Sequence, residues 1–514
     1  MNQDWGRIAD LLAQHVQLSF AALGLALLIA LPLSVWAARD RTVARVALGF
    51  ASLIQTIPAL ALLALFFPLL LALSSVFGDA ISPLGFLPSL LALTLYALLP
   101  ILRNAVTGLA SVDAAMVEAA DGVGMTSLQK LWLVEAPLAS PTIMAGIRTA
   151  AVWTIGAATL STTVGQPSLG DLIFAGLQTQ NWSLVLAGCL ASAGLAITVD
   201  LLLGLIESGI TWRKHARIWV AGVVLTLGLV LALWPPPVED RPVVTIGAKR
   251  FSEQYVLARL IGGRLEAAGY AVRYREGLGS AVVFRALAND DVQIYVDYAG
   301  TLWTNEMERQ DREPRASMIA EIGRWAKERH GVLLIGPLGF ENTYAFAVRP
   351  EDAKQLGLRS LDDVVRVAPD FVFGTDVEFL ERPEWQMVQD AYPLRFKARR
   401  AFEPTFMYRA LSSGDADIIT AFSSDGRIAA NGFVVLDDPK GAVPSYDALL
   451  LASRKAAADP RLVAALKPLV GAITVEKMRE ANYRVDRDNN KQTPADSAAW
   501  LDRMISTKPP TETP

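Results

Sequence analysis

Chemically reactive side chains are scarce in this sequence. Its 514 residues include one cysteine and three histidines. A lone cysteine, Cys189, excludes an intramolecular disulfide. His15, His215 and His330 lie in unrelated segments, and no spacing typical of a nucleophile with its base, or of a metal site, occurs. We therefore expect no enzyme activity, no catalytic residues, no metal and no other cofactor in this chain.

Charged side chains are scarce as well, but only in the first part of the chain. Of the 98 Lys, Arg, Asp and Glu residues, 21 lie in residues 1–237 and 77 lie in residues 238–514. The net charge of −4 gives no indication of a nucleic-acid partner. The uneven distribution predicts a membrane half followed by a soluble half, and the length is too great for a single core.

Six apolar runs in the first half are long enough to cross a bilayer as helices. They cover residues 16–38, 46–78, 81–102, 138–164, 182–206 and 218–234. The first run is too long for a cleaved signal peptide. The second run contains Pro58 and Pro68, so we expect one kinked or broken helix that crosses once.

Basic connectors set the expected orientation. Residues 39–45 and 212–217 are the two basic connectors, and we place both inside the cell. The segment 103–137 is then inside, and everything after Pro235 is outside.

Three charged residues lie in or near the predicted spans, namely Arg148, Asp200 and Glu207. Charge inside a membrane often marks function. We interpret Arg148 and Glu207 as side chains that extend to the inner interface, an interpretation that suits Asp200 less well.

The stretch EAADGVGMTSLQKLWLVEAP, residues 118–137, belongs to the longest inside connector. Glu118, Ala119 and Ala120 predict a short helix with a small-residue face. Gly124 permits a close turn, and Pro137 is predicted to start the next membrane helix. Such a helix could dock in a groove of another protein, or it could be only an amphipathic connector.

The second half alternates strand and helix patterns. Strands are predicted at 243–249, 271–277, 292–298, 371–376 and 416–422, and helices at 252–269, 280–290 and 406–415. This alternation predicts an α/β fold with parallel sheets. Two similar lobes, with the chain returning to the first lobe at its end, suggest a hinged cleft.

Two segments of the second half have similar sequences. FRALANDDVQIYVDYAGT (284–301) aligns with YRALSSGDADIITAFSSD (408–425), which places Tyr298 over Phe422. Ligands of open α/β sheets bind beyond the carboxyl ends of strands. The two rings could therefore face each other across the cleft and attract a cation, or they could simply cover the cores of the lobes.

The inside connector resembles a known family motif. The EAA loop of binding-protein-dependent ABC importer permeases reads E-A-A-x3-G-x9-I-x-L-P, and here Val134 and Ala136 replace the Ile and the Leu. LLPILRNAVTGLASVD and AGIRTAAVWTIGAATL, on either side, resemble the osmoprotectant branch of that family.

This resemblance implies an all-α transmembrane permease of the type I kind, with about six helices. It also implies a cytosolic ATPase partner that contacts the loop, and two permease copies per transporter. The coupling residues carried over are Glu118, Ala119, Ala120, Gly124 and Pro137. The chain has no G-x-x-x-x-G-K-[ST] motif, so we expect ATP to be bound by the partner.

The second half resembles the substrate-binding domains of glycine betaine, carnitine and choline uptake systems, which have the type II periplasmic-binding fold. The resemblance rests on IGAKRFSEQY (246–255), GLGS (277–280), DYAGT (297–301), GFENTYAF (339–346), SSDGRIAA (423–430) and PSYDALLL (444–451). In that family four aromatic residues form a cage around a quaternary ammonium group. The matching positions here are Tyr298, Tyr344, Phe422 and Tyr446, where Phe422 replaces the more usual tyrosine.

Four polar residues of these motifs are further candidates. Thr301, Gln254 and Asn342 could contact the rest of the ligand, or they could be turn and cap residues. Asp297 could help to hold a cation, or it could accept hydrogen bonds in a turn.

Together these patterns predict three regions. Residues 1–217 would form the permease, 218–242 the last membrane helix and a proline-rich linker, and 243–514 the substrate-binding domain. Within that domain we expect lobe 1 at about 243–343 and 445–505, and lobe 2 at about 344–444.

The function implied is uptake of glycine betaine, choline or carnitine across the bacterial plasma (inner) membrane, driven by a separate ATPase. The chain would be multi-pass, with its binding domain extracytoplasmic or periplasmic. Uptake of ergothioneine by the same architecture is an alternative. A membrane receptor that only senses the ligand is another, although the intact EAA pattern argues against it. The expected partners are the ATPase, a second permease copy, the lipid bilayer and the quaternary ammonium ligand.

Overall fold

The computed structural model describes residues 2–77, 84–179, 181–234, 241–309, 311, 313–443, 445–487 and 489–506. The chain forms two compact units, one from residues 1–174 and 183–238 and the other from 175–182 and 239–514. Residues 78–83 and 235–240, which contain ends of two predicted spans and most of the predicted proline-rich linker, lie outside the described residues.

The first part of the chain is helical throughout. Its helices are α1 (Asn2–Arg39), α2 (Arg41–Thr56), α3 (Ala59–Phe77), α4 (Phe86–Ala110), α5 (Ala114–Gly122), α6 (Ser127–Lys130), α7 (Ala136–Ala158), α8 (Gly170–Gln178), α9 (Trp182–Thr211) and α10 (His215–Leu233). Within the described residues, five helical runs are long and apolar enough to cross a bilayer, and the bent pair α2 and α3 would make a sixth.

The predicted break in the second apolar run is confirmed, and it lies at the first of the two prolines. Helices α2 and α3 meet at an angle of 101°. Pro58 cannot donate the backbone hydrogen bond that would continue α2, whereas Pro68 lies inside α3 without ending it. Whether this pair crosses the membrane once stays a prediction.

Pro137 lies in the first turn of α7, which begins at Ala136, so the prediction that it starts the next helix is confirmed. Helix α6, a π-helical turn at Leu131–Glu135 and α7 follow one another without interruption. In the π turn the backbone N–H of Ala136 bonds five residues back, to Leu131. A proline, which lacks an N–H, is tolerated beside such a widened turn because the regular ladder is already interrupted there.

The intramembrane charges form a cluster between α7 and α9. The Arg148 guanidinium donates to both oxygens of Asp200, at 2.8 Å each, and to Glu207 at 2.8 Å. It lies against Gly204, where an added Cβ would be 3.3 Å from the guanidinium carbon. Asp200 and Glu207 therefore lie on one face of α9, on either side of a glycine that leaves room for the arginine.

The second part of the chain has two five-stranded sheets. Its strands are β1 (Val243–Lys249), β2 (Ala271–Leu278), β3 (Ile294–Tyr298), β4 (Leu333–Glu341), β5 (Tyr344–Val348), β6 (Val372–Thr375), β7 (Ala398–Ala401), β8 (Ile418–Phe422), β9 (Val434–Leu436) and β10 (Asp447–Ala452). The strand orders are β2-β1-β3-β10-β4 and β7-β6-β8-β5-β9.

The predicted strands pair in parallel as expected, but both sheets are mixed, because strands that were not predicted join them in the antiparallel direction. Counted in the spatial orders given above, the first three strands of each sheet run parallel to one another. The fourth strand is antiparallel to both of its neighbours. The antiparallel strand is β10 in one sheet and β5 in the other. The chain passes from one sheet to the other just before each of these two strands. Neither strand is therefore joined to a neighbour by the crossover helix that a parallel pair requires.

Helices pack beside these sheets. They are α11 (Ser252–Ala267), α12 (Ser280–Ala288), α13 (Ala299–Thr301), α14 (Arg315–His330), α15 (Pro350–Leu356), α16 (Leu361–Val367), α17 (Val377–Glu381), α18 (Pro383–Ala391), α19 (Pro404–Ser413), α20 (Gly426–Asn431), α21 (Arg454–Ala457), α22 (Pro460–Leu466), α23 (Val475–Asp486) and α24 (Pro494–Ser506). Each strand and helix predicted from the sequence pattern has a counterpart here.

The two similar sequence segments form equivalent parts of the two sheets. Strands β3 and β8 are each the third strand of their sheet, and each follows a helix, α12 or α19. Tyr298 and Phe422 are the last residues of these two strands. The fold therefore places one ring from each sheet at equivalent carboxyl ends.

Candidate functional site

Aromatic side chains meet where the two sheets of the second unit adjoin. Tyr344 and Phe422 lie opposite each other on β5 and β8, with ring centroids 5.0 Å apart. Tyr446, just before β10, approaches Tyr344 edge-on with a centroid distance of 5.9 Å and an interplanar angle of 89°. Three of the four rings expected from the family pattern are therefore connected, with Tyr344 in contact with the other two.

Tyr298 joins this cluster through a fifth ring. Phe251, just before α11, lies 6.1 Å from the Tyr298 ring and is stacked on Phe422 at 6.2 Å. We expected Tyr298 and Phe422 to face each other directly, but Phe251 lies between them. Sequence reasoning missed Phe251, although it belongs to the quoted stretch IGAKRFSEQY.

The three tyrosines of the cluster are buried, while Phe251 and Phe422 are half-buried. Burial raises the pKa of the Tyr298, Tyr344 and Tyr446 hydroxyls well above the usual value. These hydroxyls therefore stay protonated and act as hydrogen-bond donors at any physiological pH.

An arginine that the sequence analysis did not single out lies over two of the rings. The Arg382 guanidinium is 5.4 Å from the Tyr344 centroid and 5.9 Å from the Tyr446 centroid. It donates to the Tyr446 hydroxyl at 3.1 Å and forms two hydrogen bonds of 3.2 Å with Glu384. The Arg382 guanidinium thus lies within cation–π range of both rings while it is paired with Glu384.

Glu384 compensates this arginine. Burial alone would raise the pKa of the Glu384 carboxyl, but the Arg382 guanidinium beside it holds that pKa below its usual value. Glu384 also accepts a hydrogen bond from the Tyr446 hydroxyl. Nothing in the stretch FLERPEW indicates this arrangement, because Tyr344 and Tyr446 lie about 40 to 60 residues away in the chain.

Three of the four polar candidates, Gln254, Thr301 and Asn342, border the rings. The Gln254 amide donates to the Tyr298 hydroxyl and to the Val296 carbonyl, both at 3.0 Å. The Thr301 hydroxyl lies 3.5 Å from Arg382. Asn342 is buried, and its side-chain oxygen has no hydrogen-bond partner among the described residues. Asn342 therefore offers a free acceptor, whereas the Gln254 amide is already used within the protein.

Asp297 is engaged with a lysine. Its carboxylate accepts from the Lys249 ammonium at 2.7 Å, and both side chains are buried. The same oxygen accepts from the backbone N–H of Tyr298 at 2.8 Å. Since its charge is already compensated, the structure favours the structural interpretation of Asp297 over direct contact with a ligand cation.

Glu253 is a second acid that the sequence analysis did not name. It accepts hydrogen bonds from the Tyr298 hydroxyl at 2.5 Å, from Asn342 at 3.0 Å, from Asn482 at 3.0 Å and from Ser424. All four donors are neutral. Burial raises the pKa of this carboxyl above its usual value, although the four hydrogen bonds oppose that effect.

The segment predicted to couple to a partner lies in the helical unit. Glu118, Ala119 and Ala120 belong to α5, and Gly124 follows with φ +78°. This backbone conformation suits glycine and turns the chain between α5 and α6. Large apolar side chains are exposed along the segment, namely Met116, Val123, Leu128, Trp132 and Leu133.

Both parts of the chain match known families. Residues 242–503 match the family described as the substrate binding domain of ABC-type glycine betaine transport systems. Residues 30–212 match the family described as the inner membrane component of binding-protein-dependent transport systems.

Individual relatives cover one part or both. The ergothioneine transport permease/ergothioneine binding protein EgtU of Helicobacter pylori (strain G27) is 29% identical over 85% of this chain and 80% of its own length. The glycine betaine/carnitine/choline transport system permease protein OpuCB of Bacillus subtilis (strain 168) is 39% identical over 38% of this chain and 86% of its own length. A crystal structure described as a glycine betaine/carnitine/choline ABC transporter aligns with a TM-score of 0.45 at 26% identity, covering 51% of this chain and 99% of the other.

Gly300 gives a test of the ring cluster. A Cβ at this position would overlap the ring of Tyr446. We expect Gly300→Ala to displace that ring, to lower the free energy of unfolding by about 1–3 kcal/mol, and to weaken binding of glycine betaine roughly tenfold, about 1.4 kcal/mol. Calorimetric binding and thermal unfolding of the full chain in nanodiscs measure both effects.

Gly263→Ala is the matched control, because a Cβ at Gly263 on α11 would meet nothing within 4 Å. It should leave affinity unchanged and gain up to about 1 kcal/mol of stability from helix propensity. Wild-type affinity and stability in Gly300→Ala would contradict the placement of Tyr446.

Proposed function

The chain belongs to the glycine betaine-type ABC importers, as a membrane permease fused to its substrate-binding domain, and from this premise we propose that it imports a small quaternary-ammonium solute such as glycine betaine, choline or carnitine. The binding domain would capture the solute outside the cell. The permease would then pass it inward when a separate ATPase binds ATP.

The observation that carries this proposal is the buried ring cluster. Five aromatic rings, from Phe251, Tyr298, Tyr344, Phe422 and Tyr446, come together from both sheets. A quaternary ammonium group has no N–H to donate, so ring faces are the groups best able to replace its hydration. The position of Arg382 over two of these rings supports the same preference for a cation.

Ergothioneine is the second candidate. The relative named for ergothioneine transport spans both parts of this chain, and ergothioneine also carries a trimethylammonium group that could use the same rings. The free acceptor of Asn342 could receive a hydrogen bond from the hydroxyl of choline or carnitine or from the ring N–H of ergothioneine, whereas the carboxylate of glycine betaine offers no donor. The two candidates therefore differ in ligand, not in architecture.

We place the partner ATPase at the segment 118–137. Its exposed apolar side chains, among them Trp132 and Leu133 at 67% and 65% exposure, suit a protein contact on the cytosolic side. The basic connectors support an inside position for this segment and an extracytoplasmic position for the binding domain. By analogy with permeases that work in pairs, we propose a homodimer.

A ligand panel tests the proposed function. We expect the full chain in nanodiscs to bind at least one of glycine betaine, choline, carnitine and ergothioneine in calorimetry, and not glutamine. Phe422→Leu should weaken that binding roughly tenfold, because it removes a ring face that contributes about 1–2 kcal/mol. Phe396→Leu, a partly buried ring stacked on Phe373 outside the cluster, is the control and should change nothing.

Failure of all four solutes, together with binding of an ordinary amino acid, would refute the proposal. Selective binding of ergothioneine would decide between the two candidates.

Gly124 tests the coupling segment. Gly124→Asp should strain the turn and place a charge beside exposed apolar side chains. We expect ATP-driven uptake into membrane vesicles to fall about tenfold or more, equivalent to about 1.4 kcal/mol, while solute affinity stays the same. Gly357→Asp, at an exposed glycine of φ +68° in the binding domain, is the matched control and should transport normally. Normal transport by Gly124→Asp would rule out this segment as the coupling site.

A further inference from the structure

The ring cluster lies against a buried carboxylate that has no cationic partner. Glu253 is 2% exposed and forms no ion pair among the described residues. Its four hydrogen-bond donors are the Tyr298 hydroxyl, the Ser424 hydroxyl and the amides of Asn342 and Asn482. This carboxyl is thus buried beside the rings without a counter-ion, and its hydrogen-bond donors are all neutral.

Each of the other acids near the rings has a positively charged side chain nearby. Asp297 is paired with Lys249 and Glu384 with Arg382. Asp376, which follows β6, caps α17 through the Phe379 N–H and has the positive charge of Arg382 within electrostatic reach. Burial of an ion without a counter-ion is costly, so an uncompensated carboxylate calls for an explanation.

The hydrogen bonds of Glu253 suit its ionised form. Each carboxylate oxygen receives two of the four bonds, and all four come from O–H or N–H groups. An ionised carboxylate only accepts, whereas a protonated one would need an acceptor for its own hydrogen. The four donors therefore favour the ionised form, against the effect of burial, which raises the pKa of this carboxyl.

Glu253 is connected directly to the cluster. The Tyr298 hydroxyl donates to it at 2.5 Å, so the carboxylate lies at the edge of a ring whose face borders the site. A phenol that donates to an anion gains electron density, which strengthens the attraction of its ring face for a cation. Ser424, two residues beyond Phe422, brings the second sheet to the same carboxylate.

We propose that Glu253 provides the counter-charge for the ligand's ammonium group and acts on it through the Tyr298 ring. It is a positioning and specificity-determining residue that makes the cluster select a cation over a neutral group of the same shape. This inference rests on the proposed function, since it assumes that a quaternary ammonium group binds among the rings.

Two pairs of probes separate charge from shape. Choline and 3,3-dimethylbutan-1-ol have the same outline, but only choline carries the positive nitrogen. Glycine betaine and 3,3-dimethylbutanoate form the second pair. The full chain in nanodiscs is titrated with all four compounds, and the affinity ratio within each pair is the readout. A general structural defect would weaken both members of a pair and leave the ratio unchanged.

We expect Glu253→Gln, which keeps the shape and removes the charge, to weaken binding of the cationic member about tenfold or more. The neutral 3,3-dimethylbutan-1-ol should change by less than about twofold, and the anionic 3,3-dimethylbutanoate should not bind more weakly, so the ratio collapses in both pairs. Ser424→Ala is the matched control, because it removes one donor and leaves the charge. Its ratio should equal that of the wild type.

An unchanged ratio in folded Glu253→Gln would overturn the proposal. If thermal unfolding shows that this variant does not fold, Tyr298→Phe decides instead. This variant removes the hydroxyl that donates to Glu253 and keeps the ring. We expect it to lower the affinity ratio within each pair of probes. An unchanged ratio would again overturn the proposal. Wild-type protein that binds neither quaternary probe would refute the proposed function itself, and this inference with it.

Discussion

The methyl groups of a quaternary ammonium ion surround its positively charged nitrogen, and the ion can donate no hydrogen bond. A protein that binds it away from water must compensate the charge with ring faces and with negative groups at a distance. In the second unit, one aromatic residue ends the third strand of each sheet, and Phe251, Tyr344 and Tyr446 complete the cluster. Glu253 lies behind it, hydrogen-bonded to Tyr298.

The same constraint explains the salt bridges around the rings. Lys249 neutralises Asp297, and Glu384 neutralises Arg382, so neither pair leaves excess charge in the buried site. Arg382 nevertheless lies over Tyr344 and Tyr446 as a cation would. Beside the cluster, the Glu253 carboxyl accepts four hydrogen bonds from neutral donors and forms no ion pair within the described part of the chain.

Much of this arrangement could be predicted from the sequence where the signal is local. The sequence similarity between 284–301 and 408–425 predicts two equivalent strands with Tyr298 and Phe422 at their ends, and the structure contains both strands. Pro58 predicts a broken helix for a reason that lies in one residue, its missing N–H.

What could not be predicted depends on contacts between distant segments. Strand β10 enters the first sheet only after the chain has built the second one, so its antiparallel direction has no local signal. Arg382 and Phe251 reach the rings through tertiary packing. The sequence predicts that Arg148 extends to the inner interface, yet its guanidinium binds Asp200 and Glu207 on a helix more than fifty residues away in sequence.

The central claim is that ring faces hold the cation, and fluorination of one ring tests it most directly. Phe422, replaced in the full chain by phenylalanine carrying one, two or three fluorine atoms, keeps nearly the same shape while its face loses negative potential step by step. The account predicts that the affinity for the quaternary ammonium solute falls with each added fluorine. An affinity that stays constant across the series would contradict it.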